Sequence, residues 1–442
     1  MRHQLARGVW SAALGAALLA PVLLRLRSDE PGSLWVELSV LTGLLALSAL
    51  VCTAVLPSRL RSLTSAFGID GVLGVHRCLG VVVAILVLAH IAFVVASNPA
   101  NVALLDTDAP ASGRAGTAAT LALGGLVALA VLRHRLRHRY EVWRWLHVAL
   151  AGAVLVLSGL HVFWLNHLIQ DLGMRTLFVL LAALALGVLA YRWAWRPAFG
   201  RGSEYLVREV RPENDTVSTV VLQARGGRHA VDSPSLEFAP GQFAWLRLDR
   251  SLAAQEHPFT MASGAHAGHS PEFTIRHSGD FTSTLRRLRP GSPVWLDGPH
   301  GSFTVDFRAA TGLVMIAGGV GITPMMSMLR TLAHRGDRRP HRLIVVAGMV
   351  EELLFRAELA QLRRQLDLTV VEVLRRPLPG WSGFVGEVDA RLLAAVLPGP
   401  FRRNQLDYFV CGPPALVDSV LAELTELAIP APRVHCEQFD LV

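Results

Sequence analysis

Four histidines recur at matched spacing in two apolar stretches. One stretch reads GVHRCLGVVVAILVLAHIAFVV and carries His76 and His90; the other reads WRWLHVALAGAVLVLSGLHVFWL and carries His147 and His161. In both, the histidines stand 14 residues apart (90 − 76 and 161 − 147). Fourteen residues of α-helix rise about 21 Å and end about 40° short of four full turns. Each helix therefore presents two imidazoles on nearly one face, one toward each side of a bilayer. Neutral imidazole is a good axial ligand for haem iron, so two such helices side by side can clamp two b-type haems stacked across a membrane. A lone histidine on an apolar helix reads as a hydrogen-bonded contact between helices. Four in two matched pairs point to function, because polar groups at membrane depth are costly.

The elements that must carry these residues are legible from hydropathy. The chain has 442 residues, 52% hydrophobic and 17% charged, a balance suited to a part-membrane, part-soluble protein. Apolar segments lie at roughly 9–24, 34–57, 73–97, 116–132, 141–165 and 174–195, each near the length that spans hydrocarbon. The first is expected to be a retained helix rather than a cleaved signal peptide. The net charge is +8, and all 42 basic residues are arginine. Without lysine, Schiff-base and Walker-A chemistry are excluded. The basic excess reads as membrane topology and not as nucleic-acid binding. Arg2, Arg7, Arg59, Arg61 and the run Arg133–Arg139 fall on one side of the spans; Arg25, Arg27 and Arg114 fall on the other, among Asp29, Glu30, Asp106, Asp108 and Asp171. The positive-inside rule then places both termini in the cytoplasm of a multi-pass cell-membrane protein. The histidine helices are the third and fifth spans and run parallel. His76 is expected to pair with His147 at the inner level and His90 with His161 at the outer. Arg77 and Arg144 stand beside the inner pair, to meet haem propionates or to anchor helix ends. Trp143, Trp145 and Trp164 fit an interfacial belt; Asn166 and His167, near the outer end, stand to contact an acceptor or only to mark the interface.

The four cysteines, Cys52, Cys78, Cys411 and Cys436, have no zinc or iron–sulfur spacing, so no iron–sulfur partner domain is expected in the chain. From about residue 203, short β-type runs separated by Gly/Pro turns suggest a small antiparallel barrel. After about residue 310, strand-like and helical runs alternate as in a parallel α/β nucleotide-binding domain. Three motifs sit in this half. His257-Pro258-Phe259-Thr260, with Ser263 and then Arg276 to Thr282, offers an aromatic ring flanked by hydroxyls for an isoalloxazine, and an arginine with a Gly279–Thr282 turn for a pyrophosphate. Ile316 to Pro324 reads IAGGVGITP. The glycines Gly318, Gly319 and Gly321 let backbone approach a phosphate before a helix that opens with Thr323 and Pro324. Cys411-Gly412-Pro413 after a strand-like run suits the rim of a ligand crevice.

The order of these motifs, closed by HCEQFDLV, resembles the ferredoxin–NADP reductase superfamily. Joined to six helices with paired histidines, the chain resembles the ferric reductase and NADPH oxidase family over roughly residues 60–442. The resemblance implies FAD contacts at His257, Phe259, Thr260, Arg276 and Thr282. It implies nicotinamide-dinucleotide phosphates at Gly319, Gly321 and Thr323, with Cys411 and Glu437 near the nicotinamide. It also implies a flavin-covering aromatic at Phe439, which three further residues follow here. Thr260, Cys411 and Glu437 are thus expected at the reacting centre. Arg375, with Arg376, is placed for the 2′-phosphate of NADPH, while NADH is left open.

The expected architecture is a six-helix transmembrane haem domain (1–199), an FAD-binding antiparallel β-barrel (200–308) and an NAD(P)H-binding α/β domain (309–442). The expected function is passage of electrons from NAD(P)H through FAD and two haems to an outside acceptor. That acceptor is a ferric or other metal chelate, or dioxygen giving superoxide; Val94, one turn past His90, is not the polar residue of a dedicated oxygen pocket. The competing expectation is a haem-free, membrane-anchored flavin reductase serving a cytoplasmic partner.

Overall fold

The computed structural model describes residues 2–27, 32–58, 60–134, 140–166, 170–191, 195, 203–225, 236–249, 255–306 and 310–438. It divides into two compact units, Met1–Ala198 and Phe199–Val442, each treated by itself. In the first, α1 (Arg2–Arg25), α2 (Leu34–Val55), α4 (Ile69–Ser97), α5 (Ala111–Val131), α6 (Tyr140–Leu165) and α7 (Leu172–Ala190) are long and apolar enough to cross a membrane. A further short helix, α3 (Arg61–Phe67), fills the connection after α2. Seven residues give too little periodicity for this helix to register in the sequence. Gly68 ends α3 and opens α4 at φ +73, a region that favours glycine. Asp171 caps α7 by accepting from the Met174 N–H at 2.7 Å.

The two histidine helices each pack along the membrane-length helix that precedes them, α4 along α2 and α6 along α5. Between the histidine levels lies an apolar layer of Ala49, Leu50, Val83, Leu123 and Val154. Val83 and Val154 are 2% exposed, and each stands seven residues from both histidines of its own helix. The same periodicity that aligns the imidazoles thus puts a buried valine midway between them.

In the second unit, β1 (Ser203–Asn214), β2 (Val217–Ala224), β3 (Phe243–Arg247), β4 (His257–Thr260), β5 (Glu272–Arg276) and β6 (Pro293–His300) form an antiparallel sheet in the order β4-β3-β6-β1-β2-β5. A bridge between Met261 and Phe273 brings its edges together, which makes it a barrel wrapped on the core of Tyr205, Leu222, Leu246, Phe273 and Leu285. The short helix α8 (Asp280–Arg286) precedes β6. A parallel sheet follows, ordered β10-β9-β8-β7-β11-β12, from β7 (Leu313–Gly318), β8 (His341–Ala347), β9 (Leu368–Leu374), β10 (Phe384–Val385), β11 (Asp407–Gly412) and β12 (Val434–Gln438). Its strands β7 and β11 are wholly buried, and apolar but for Asp407 at the start of β11, as a parallel sheet covered on both faces requires. Helices α9 (Ile322–His334), α10 (Arg356–Leu362), α11 (Ala390–Val396), α12 (Pro400–Arg403) and α13 (Pro414–Glu426) connect the strands.

Candidate functional site

The membrane unit brings the four histidines together in two facing pairs. His76 and His147 have ring centres 6.3 Å apart, and His90 and His161 have theirs 6.2 Å apart. The Nδ1 of His76 donates to the Thr53 carbonyl at 3.0 Å, that of His90 to the Ser39 carbonyl at 2.7 Å, and that of His161 to the Ser112 carbonyl at 2.8 Å. A carbonyl oxygen only accepts, so Nδ1 carries the proton and Nε2 keeps its lone pair for a metal. Two metal–imidazole bonds of about 2.0 Å, each with about 1.1 Å more to its ring centre, span about 6.2 Å. Among the described residues no group of three or more His, Cys, Asp or Glu gathers as a metal cage. Two imidazoles alone would leave a bare ion short of ligands, whereas a porphyrin brings four nitrogens of its own. The donor set and its spacing fit bis-histidine haem at both levels.

The outer rings are seated in the same way on both helix pairs. A Cβ added at Gly43 of α2 would lie 3.0 Å from His90 Nδ1; one added at Gly116 of α5 would lie 2.9 Å from His161 Nδ1. Each glycine stands one turn after the serine whose carbonyl takes the Nδ1 proton, in Ser39–Gly43 and Ser112–Gly116. The inner level differs. The Nδ1 of His147 has no hydrogen-bond partner among the described residues, and its ring stacks on Trp143 with centres 5.1 Å apart. Arg144 lies over the Trp145 ring at 5.7 Å, and Arg77 is exposed. Asn166 is exposed with φ +62; His167 and most of the Arg133–Arg139 run lie outside the described residues.

In the second unit, His257, Pro258, Phe259 and Thr260 form β4, paired to β3 through Leu246↔His257 and Phe243↔Thr260. Phe281 of α8 joins them. Its ring centre is 4.2 Å from that of His257, and its ring is stacked parallel to Phe259 at 6.2 Å. Phe281 lies inside the motif singled out from the sequence, but its packing against β4 is a tertiary fact. Arg276, at the end of β5, is exposed and unpaired among the described residues. The Thr282 hydroxyl is spent locally: it accepts from the N–H groups of Ser278 and Gly279, each at 3.0 Å, and donates to the Gly279 carbonyl. Ser263 is 3% exposed, and its hydroxyl accepts from the Glu272 N–H at 3.2 Å, so it ties the barrel together beneath the flavin strand.

The glycine motif and the cysteine motif meet where the parallel sheet reverses its strand order, between β7 and β11, the place where α/β sheets bind nucleotides. A Cβ on Gly321 would lie 2.4 Å from the Cys411 carbonyl oxygen, and one on Gly318 would lie 2.5 Å from Leu416, so neither position admits a side chain. Gly319 has φ +55 and open space around it, which leaves its backbone bare toward the crevice. Thr323 and Pro324 are buried in the first turn of α9, where the Thr323 hydroxyl donates to the Val320 carbonyl at 2.8 Å. Gly412 and Pro413 close the end of β11. Glu437 sits opposite Cys411 on β12 and is 9% exposed. Cys411 is fully buried, in one cluster with Ala317, Ile322 and Phe409. Arg375 reaches the end of β9, where Glu387 pairs with it at 2.9 and 3.1 Å. Glu352, not singled out from the sequence, accepts from the Gly348 N–H at 2.9 Å at the end of β8. Phe439 lies outside the described residues.

Helix α9 joins the two parts of this unit. Its Ser327 hydroxyl donates to the Ser263 carbonyl at 2.8 Å, and its Thr331 hydroxyl accepts from the Ala265 N–H at 2.8 Å. Arg330 donates to the Ala262 carbonyl at 2.8 Å, to Glu272 at 3.0 Å and to Glu358 at 2.7 Å through two nitrogens. Burial opposes the Arg330 charge, but its bonds to Glu358 and Glu272 outweigh burial and raise its pKa. The helix that begins after Gly319 and Gly321 is thereby fastened along its length to the barrel.

Residues 42–158 match the ferric reductase like transmembrane component, and residues 315–421 match the oxidoreductase NAD-binding domain. The first match takes in His76, His90 and His147. Ferredoxin–NADP reductase B of Sorangium cellulosum (strain So ce56) is 32% identical over 218 residues, covering 47% of this chain and 88% of that one. The reductase component of propane 2-monooxygenase from Mycolicibacterium goodii is 29% identical over 222 residues, covering 47% of this chain and 61% of that one. Among solved structures, the FAD/NAD binding domain of nitric oxide dioxygenase from Vibrio cholerae O1 biovar El Tor is 24% identical, with a TM-score of 0.47, over 54% of this chain and 98% of that one. The chain spans about half to three fifths of the length of several other curated relatives. A ferric reductase like membrane component fused to an NAD(P)H-dependent reductase module is the ferric reductase and NADPH oxidase arrangement, and this chain has it.

Proposed function

We propose that the chain carries electrons from NAD(P)H across a membrane to a small acceptor on the far side. When bound, FAD would supply the step from a hydride pair to single electrons, and two b-type haems would supply one-electron centres. His76 with His147 holds one centre, and His90 with His161 holds the other. The observation that carries this reading is the two facing imidazole pairs at 6.3 and 6.2 Å, three of the four rings tautomer-set by a backbone carbonyl. Both imidazoles of each pair would be used in holding the group, so the acceptor would be reduced without binding its metal. Val83 and Val154 keep water and polar groups out of the layer between the centres. In the reductase module, the bare backbone of Gly319 and the exposed Arg276 would hold phosphates, the His257–Phe259–Phe281 rings would offer the isoalloxazine an aromatic surface, and α9 ties the two parts together.

Six spans leave both ends of the membrane region on one side, and the arginine asymmetry makes that side cytoplasmic. Outward electron flow then follows a negative-inside potential, gaining about 2.3 kcal/mol per 100 mV for a full crossing. The test is a reduced-minus-oxidised spectrum of the purified protein together with a vesicle assay. A b-type spectrum with about two haems per FAD is expected. His76→Leu should leave flavin reduction by NAD(P)H intact and abolish reduction of an impermeant ferric chelate. A haem-free preparation that still oxidises NAD(P)H at full rate refutes the proposal in favour of an anchored flavin reductase. Superoxide-dismutase-sensitive and anaerobic ferric-chelate reduction, compared in oriented vesicles, decide between dioxygen and metal chelates.

A further inference from the structure

Three of the four membrane histidines are seated by a backbone carbonyl of the preceding long helix; among the described residues the fourth, His147, is not. On α2 the accepting carbonyls, of Ser39 and Thr53, stand 14 residues apart (53 − 39), the spacing of the histidines they serve. On α5 the same step from Ser112 leads to Leu126 (112 + 14), whose carbonyl takes no proton from His147. The α5 carbonyl used near His147 is that of Leu129, in the last turn of the helix, where carbonyls lack helical partners. It accepts from the Trp143 Nε1–H at 3.0 Å. Trp143 stands one turn before His147 on α6, and side chains four residues apart on a helix are neighbours. The two rings stack with centres 5.1 Å apart and planes 30° apart. Trp145 and Trp164 on the same helix are exposed, as residues of an interfacial belt are; Trp143 is half-buried against the histidine.

We propose that Trp143 is the positioning residue of His147: pinned by the Leu129 carbonyl, its ring face fixes the plane of an imidazole that no carbonyl holds. The proposal rests on the haem reading, in which that plane is the plane of a metal ligand. An Nδ1–H···O bond fixes both the tautomer and the orientation of a ligand ring, and makes Nε2 a stronger donor. A ring face fixes orientation alone. The His76–His147 level is therefore held by one carbonyl and one ring face, and the His90–His161 level by two carbonyls and two glycine seats. An aromatic contact of this kind is worth about 2- to 10-fold in an equilibrium. Removing the face should loosen the His76–His147 level and leave the other as it is.

The test compares the purified full chain with Trp143→Leu, Trp143→Met and Trp143→Phe, and with Trp164→Leu as the control. The readouts are the rate of haem transfer to excess apomyoglobin and the largest g value of each low-spin signal. That g value reports the angle between the two axial ring planes, 57° for His76–His147 and 83° for His90–His161, so the two levels are told apart; His76→Leu assigns the first. The leucine and methionine variants should lose haem from the His76–His147 level about 2- to 10-fold faster than the parent and shift its g value. The unchanged signal of the other level shows that their membrane unit is folded; methionine, an adaptable filler, repeats the test should leucine leave a void. Trp143→Phe keeps a ring face and should return both readouts toward the parent's, and Trp164→Leu should change neither. Parent-like haem retention and g values in the leucine and methionine variants, equal effects on both levels, loss of both haems in both variants, or no rescue by phenylalanine each overturns the proposal. A parent chain without haem overturns the haem reading and this proposal with it, whereas two haems in the parent and unshifted variants overturn this proposal alone.

Discussion

Replacing Gly43 with alanine tests how the outer histidine pair is held. The new Cβ would lie 3.0 Å from His90 Nδ1 and 3.1 Å from Cε1. Ordinary carbon contacts lie at about 3.5–4.0 Å, so the ring must retreat by about 0.5 Å. The Nδ1 bond to the Ser39 carbonyl, now 2.7 Å, then stretches to about 3.2 Å, the far limit of a good N–H···O bond. Overpacking of this size costs about 1–3 kcal/mol, equivalent to about 5- to 150-fold in ligand affinity. Loss of a tautomer-setting bond behind a metal ligand acts in the same direction, by about 10- to 100-fold. Gly116→Ala should behave alike, since its Cβ would lie 2.9 Å from His161 Nδ1. Gly124→Ala on the same helix is the control, with nothing within 4 Å. The assay is haem per FAD in purified protein, with the low-spin spectrum of whatever haem remains. Both seat variants should fall from about two haems toward about one, and the control should hold both. Full haem content and an unchanged spectrum in Gly43→Ala would refute the reasoning, because the ring would have been shown not to depend on its seat.

Two other outcomes follow from the reductase module. Arg375→Ala should raise KM for NADPH by about tenfold and leave NADH unchanged, since the exposed Glu387 pair is worth at most about 1 kcal/mol and yields readily to a phosphate; steady-state kinetics with both nucleotides check this, and equal effects on the two refute it. His341 is wholly buried at the start of β8, and burial, only partly offset by Asp337 at 3.4 Å, holds its pKa below the ordinary 6.5. A depressed folded-state pKa gives stability that is complete above pH 6.5 and is lost as pH falls toward the folded value. Urea midpoints should therefore drop between pH 7 and pH 5, and His341→Leu should flatten that drop.

Much of the membrane unit was legible because its signals are local. Apolar runs of bilayer length specify helices without reference to partners, since hydrocarbon admits no unpaired backbone. The repeat of 14 in His76/His90 and His147/His161 fixes a common face through helix geometry alone. The glycines after β7 were legible for the same reason: a tight turn with φ +55 at Gly319 is a local demand. The short helix α3 was not, because seven residues carry too few periods.

What the chain could not disclose by itself is which distant groups complete each site. The carbonyls of Ser39 and Ser112 lie 51 and 49 residues from the histidines they orient, and nothing distinguishes Gly43 or Gly116 from other helix glycines until the helices pack. Nothing in the sequence shows that the Ser263 hydroxyl accepts from the Glu272 N–H or that its carbonyl takes the Ser327 hydroxyl. Phe281 and Arg330 acquire meaning only from the strands and carboxylates brought against them. Sequence alone determined the spans, the shared face of the histidines and the order of the nucleotide motifs, because each follows from backbone periodicity or a turn. Tertiary structure alone decided the hydrogen-bond partners, the close approaches and the ion pairs, because those are contacts of a few ångströms between residues far apart along the chain.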